Sequence, residues 1–159
     1  MPALHRILVP VDFSDASSAA VTYAAFLARR FEAGIVLLHV WEPPHLLVPE
    51  VVLAPPEGPP QTLAEFATAH ADRQMTELVA ELGAELRGRV QVMVEVGHPA
   101  TRIVEVARRA SSDLIVMGTH GRHGLSRLLL GSVAQNVVRR APCPVLTVHG
   151  FAQPEEKSS

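Results

Sequence analysis

The sequence predicts an α/β fold, an open five-stranded parallel sheet in the order 3-2-1-4-5 with helices on both faces. Three observations carry this. Short apolar runs alternate with segments of helical period from one end of the chain to the other. Alternation of that kind requires a parallel sheet with right-handed crossovers. One run, Val90–Val96, alternates apolar and polar residues, as a half-exposed edge strand does.

The elements follow in order. Arg6–Val11 is the first strand. Ser14 can cap the next helix by accepting a free backbone N–H. Ala16, Ala19, Ala20, Tyr23, Ala24, Leu27 and Phe31 recur at helical spacing and mark its inward face, and Gly34 can end it. Ile35–Val40 is the second strand. The stretch Pro43–Pro60 holds seven prolines and reads as a long surface loop without ladder or helix. Thr62–Leu86 is one long amphipathic helix, carrying Phe66, Met75, Leu82 and Leu86. Val90–Val96 is the third strand. Pro99 suits the first turn of the following helix, whose buried stripe is Ile103, Val104, Ala107 and Ala110. Leu114–Met117 is the fourth strand, and Gly118–Gly131 is a glycine-punctuated loop. In Ser132–Ala141 the inward residues are Val133, Val137 and Val138. Pro142 stops that helix, and Val145–Val148 is the last strand. The chain reads as one domain, 1–150, with a polar tail at 151–159.

Composition limits the function. The 159 residues are 48% hydrophobic, enough for one core, and no apolar run reaches membrane-spanning length. The N-terminus does not read as a signal peptide, so the expected location is the cytoplasm. A net charge of −2 gives no general nucleic-acid surface. The single cysteine, Cys143, allows no internal disulfide and reads as a small buried hydrophobe. His39, His98 and His149 have no metal-ligand spacing and read as packed or surface side chains.

In an open α/β sheet, ligands bind beyond the carboxyl ends of the strands where strand order reverses. Asp12, Val40 and the glycine loop lie at such ends. Glycines at the start of the loop would let a ligand approach the backbone. Gly131-Ser132 sits at a helix start, where free N–H groups, including that of Val133, and the helix dipole form an anion site. A bulky side chain at Gly131 is expected to occupy the phosphate's approach. No Gly-Lys-[Ser/Thr] is present, so this is not a Walker loop, and its place after the fourth strand excludes the dinucleotide fingerprint. Asp12 is the one well-placed carboxylate, with no acid–base partner beside it.

The spacing Gly118-x2-Gly121-x9-Gly131-Ser132 resembles the nucleotide motif of the ATP-binding branch of the universal stress proteins. Ile7-Leu8-Val9-Pro10-Val11-Asp12-Phe13-Ser14, Asp113–Gly118 and Ala141-Pro-Cys-Pro-Val145 are similar to that family's strand signatures. The resemblance implies a Rossmann-like fold that binds ATP, with magnesium arriving alongside it. Pro10, Val11 and Asp12 would line the ribose and adenine side, and Val40 and Met117 would flank the base. Gly118, Gly121, Gly131 and Ser132 would hold the phosphates. His120 would touch phosphate by its backbone. Arg122 and His123 could reach phosphate or stand exposed. The resemblance also implies a homodimer through Val145–Val148, and a stress-response or signalling switch with slow hydrolysis or none. The alternative is an enzyme that activates a substrate by adenylyl transfer. It lacks the Ser/Gly-rich loop that such enzymes carry after the first strand.

Overall fold

A computed structural model of the chain describes residues 3–120 and 129–150. The five-stranded sheet has the order β5-β2-β1-β6-β7, all parallel. Its strands are β1 (Arg6–Pro10), β2 (Gly34–Trp41), β5 (Val90–Val96), β6 (Leu114–Gly118) and β7 (Val145–Val148). This is the predicted 3-2-1-4-5 order, and Val90–Val96 is an edge strand. Helices α1 (Asp15–Phe31), α2 (Leu63–Glu81) and the short α3 (Ala84–Arg87) share a core with Ile7, Val9, Ile35 and Leu37 on one face. On the other face α4 (Pro99–Arg109) and α5 (Ser132–Arg140) pack on Leu8, Val36, Leu38 and Ile115. Successive strand residues point to opposite faces. That is why the unbroken run Ile7-Leu8-Val9 supplies both cores.

Several local expectations change. Ser14 does cap α1, its side chain accepting from the Ser17 N–H at 3.2 Å. The helix ends at Glu32, in the left-handed conformation (φ 56°), while Gly34 opens β2. The inward face of α1 is alanine and valine, with Ala20, Ala24 and Ala28 fully buried; Tyr23 and Phe31 are 42% and 54% exposed. Small residues allow the helix to lie close on the sheet, and the aromatics are left outside. Gly83 (φ +93°) divides the predicted long helix into α2 and α3, and Phe66 is exposed. Ala134, not Val138, joins Val137 in burying α5. Ala110 stands past the last turn of α4, whose stripe includes Val106 instead.

The proline-rich stretch also holds a ladder. Its proline-free centre forms β3 (Val52–Leu53), antiparallel to β4 (Gln61–Thr62). Thr62 then caps α2 in a reciprocal capping box with Glu65. The Glu65 carboxylate accepts the Thr62 backbone N–H at 2.7 Å and the Thr62 hydroxyl at 3.0 Å, and these bonds hold its pKa below the usual range. Cys143 is partly buried against the α4–α5 core, and burial raises its thiol pKa. Among the described residues, no helix is long and apolar enough to cross a membrane.

Candidate functional site

The carboxyl ends of β1, β2 and β6 open onto a cleft of about 380 Å³. That is within the range of small-molecule sites, about 300–1,000 Å³. Helices α4 and α5 begin at its rim, contributing Pro99, Ile103, Ser132, Val133 and Ala134.

The β1 end is shaped by a tight turn. Phe13 has φ 61°, a conformation that costs a non-glycine residue on the order of 1–3 kcal/mol. Its ring packs on His39 at 4.8 Å between centroids, and His39 Nδ1 donates to the Val11 carbonyl at 2.7 Å. Asp12 Oδ1 accepts the Ser14 N–H at 3.0 Å and also the Ser14 hydroxyl. This carboxylate thus braces the turn while lining the cleft.

The opposite wall is built from β6 and the start of α5. Gly131 precedes α5 and offers no side chain to cap it, unlike Ser14 before α1 and Thr62 before α2. Its own N–H donates to the Thr119 carbonyl at 2.7 Å. The first-turn residues Ser132, Val133 and Ala134 all border the cleft. Unsatisfied first-turn N–H groups and the dipole give such a helix end about half a positive charge. Among the described residues that line the cleft Asp12 is the one carboxylate, and the rest of that wall is mainly apolar.

The structure brings together Pro10, Val11, Asp12, Val40, Met117, Gly118, His120, Gly131, Ser132 and Val133 around this one cleft. Gly121, Arg122 and His123 lie outside the described residues. Sequence reasoning missed Ser17, Leu38, Pro99, Ile103, Thr119 and Ala134. Two of them had a usable signal: Pro99 opens a helix after a strand, and Thr119 stands inside the glycine motif. Two reasons are also corrected. A Cβ on Gly118 would lie 2.8 Å from the carbonyl carbon and Cβ of Ala16, so the close approach that requires this glycine is that of the first turn of α1. A Cβ on Gly131 would lie 3.1 Å from the Thr119 carbonyl oxygen, so a side chain there presses on the backbone just past β6.

The universal stress protein family profile matches residues 3–149. The chain belongs to the universal stress protein family. A universal stress protein of Methanocaldococcus jannaschii, MJ0531, is 36% identical over 143 residues, covering 90% of this chain and 81% of the relative. The universal stress protein UspA from Lactobacillus plantarum superposes with a TM-score of 0.73 at 28% identity, over 93% of this chain and 99% of its own. A universal stress protein solved in complex with cAMP superposes with a TM-score of 0.68 at 26% identity, over 94% of this chain and all of its own. Within the family, then, a nucleotide has been seen on a protein of this fold.

Proposed function

We propose that this universal stress protein binds ATP in the cleft and serves as a nucleotide-dependent stress-response switch in the cytoplasm. The observation that carries the reading is the uncapped start of α5, opening into an apolar cleft beside the ends of three strands. An adenine base and ribose suit the apolar side formed by Pro10, Val11, Val40 and Met117. Phosphates suit the N–H groups of Ser132 and Val133 and the Ser132 hydroxyl. A relative in complex with cAMP supports an adenine nucleotide as the ligand class. Magnesium arrives with the triphosphate and is held mainly by it.

The nucleotide is held and hydrolysed slowly or not at all. Phosphoryl transfer needs an oriented nucleophile and neutralised charge. Asp12, the one lining carboxylate among the described residues, is already engaged by Ser14. Two copies pair along β7, one of the two edge strands of the sheet, and ATP biases that assembly.

Titration calorimetry with ATP tests the reading. The wild-type chain binds ATP, and Val40→Trp, which fills the base side, weakens it at least about tenfold, or ~1.4 kcal/mol, in a variant that far-UV circular dichroism shows to be folded. Phosphate release stays well below about one per second. A wild-type chain that takes up no ATP would refute the proposal.

A further inference from the structure

Strand β5 stands at one edge of the sheet and pairs with β2 alone. The register shows which of its backbone groups that pairing uses. The Ile35 N–H donates to the Arg89 carbonyl at 2.8 Å, and the Gly97 N–H donates to the Trp41 carbonyl at 3.0 Å. In a parallel ladder every second residue bonds to a given neighbour. Arg89, Gln91, Met93, Glu95 and Gly97 therefore turn their backbone toward β2, and Val90, Val92, Val94 and Val96 turn theirs away from the sheet. Arg102 Nε–H donates to the Val96 carbonyl at 3.1 Å. Among the described residues, the N–H and C=O groups of Val90, Val92 and Val94 have no partner.

Folded proteins normally guard such an edge with short length, proline, lysine or a bulge. The opposite edge, β7, is four residues long and follows Pro142 and Pro144. Strand β5 runs for seven residues, with no proline, no lysine and no break in its pairing to β2. Each outward position is a valine, which favours extended backbone. All four valines are partly buried, and Val90 and Val92 pack on the α1–α2 core. The charges beside the edge are matched within the chain, Glu95 with Arg109 at 2.6 Å and Arg102 with Glu105 at 2.9 Å.

Geometry selects the occupant. Alternating donors and acceptors at strand spacing are matched by another extended backbone. A second copy fits this edge poorly, because α2 lies over β5. Paired strands are about 4.8 Å apart, whereas helix axes need about 8–10 Å. Two copies joined along β5 would press one α2 into the other. A lone extended segment carries no such layer.

We propose that β5 is a docking edge for a partner protein, which adds one extended, uncharged segment to the sheet. Aliphatic or β-branched residues of that segment lie beside Val90, Val92 and Val94 on the α2 side. Its alternate, polar residues lie beside Gln91 and Glu95 on the α4 side.

Amide hydrogen exchange on the full chain, read by NMR, tests this. In the free chain the amides of Val90, Val92 and Val94 exchange faster than those of Gln91, Met93 and Glu95. The probe is the capped peptide Val-Thr-Val-Thr-Val with a lysine at each end for solubility. At millimolar peptide the three outward amides slow at least about threefold, which corresponds to a Kd of about half the peptide concentration. The same peptide N-methylated at its valines keeps the side chains, loses the donors and leaves exchange unchanged. Val92→Pro removes one outward N–H without touching the ladder to β2, and weakens the wild-type peptide at least about threefold, the loss of one hydrogen bond. Should that variant unfold, the methylated peptide tests the same bonds from the other side. Outward amides that the peptide does not slow, or that the methylated peptide slows equally, overturn the proposal. Outward amides already protected in the free chain at high protein concentration and released on dilution also overturn it, and make the occupant a second copy.

Discussion

At the scale of single residues, the glycines divide into those the ligand side explains and those the core explains. Gly118 stands inside the motif, so its place at the cleft was legible from spacing alone. Its reason was not, because the neighbour that forbids a side chain, Ala16, is far away in sequence and meets it only once α1 lies on the sheet. Gly118→Ala is therefore expected to cost about 1–3 kcal/mol of stability, as overpacking does, whether or not nucleotide is present. Urea unfolding with and without ATP would measure it; an unchanged midpoint would show that Ala16 moves aside freely. At Gly131 the contact is with the Thr119 carbonyl oxygen, at 3.1 Å, and the chain must give by only a few tenths of an ångström. Gly131→Ala should cost less than Gly118→Ala, and its stronger effect should fall on ATP affinity, because it displaces the residue that joins β6 to α5. The reverse ranking in the same two assays would contradict that division.

At the scale of elements, periodicity located the five strands and the helices between them, because buried strands and amphipathic helices carry their period in the chain. Helix faces were harder. Counting aromatics as inward placed Tyr23 and Phe31 in the core, whereas alanines let α1 approach the sheet and exclude larger rings. The β3–β4 pair was hidden by the prolines around it and by its shortness, since each side contributes two residues. A tie between β1 and β6 was equally invisible, joining residues more than a hundred positions apart. Asp113 Oδ2 accepts the N–H groups of His5 and Arg6, each at 2.8 Å, and the Asp113 N–H donates to the Arg6 carbonyl at 2.9 Å. The two backbone bonds to its carboxylate are the main reason the Asp113 pKa is lowered. A depressed carboxyl pKa stabilises the fold above the unfolded value of about 3.9 and loses that contribution as pH falls through the folded value. The Asp113 side chain is 35% exposed, so solvent screening keeps its contribution to about 1 kcal/mol. Asp113→Asn should therefore be less stable than the wild type above about pH 5, with the gap closing below about pH 4. Melting curves across that range check it, and a gap independent of pH would assign the effect to shape instead of charge.

At the scale of the whole molecule, strand order was legible because the half-polar Val90–Val96 could only be an edge. The opposite edge, β7, has all four residues Val145–Val148 partly buried within one chain and hydrogen-bonded to β6 on one side. The proposed dimer uses its other side. Sedimentation at micromolar concentration should find two chains together, and Val148→Glu should shift the population toward one. A wild type that sediments as a single chain would remove β7 as an assembly surface.

The same strand order has a consequence for a severed backbone. The segment between β2 and α2 pairs within itself through β3 and β4, and backbone hydrogen bonds from Leu63 and Ala64 tie it to the start of α2. A nick near Leu46, which is 97% exposed, would leave a short piece holding β1, α1 and β2 and a long piece holding everything after. In the sheet, β2 lies against β5 and β1 against β6, so the short piece supplies two of the three inner strands and the long piece supplies the strands flanking them on both sides. The pieces interleave, and neither has a closed core alone. Cut there, the two pieces are expected to hold each other in place, and each one separated from the other to lose its shape.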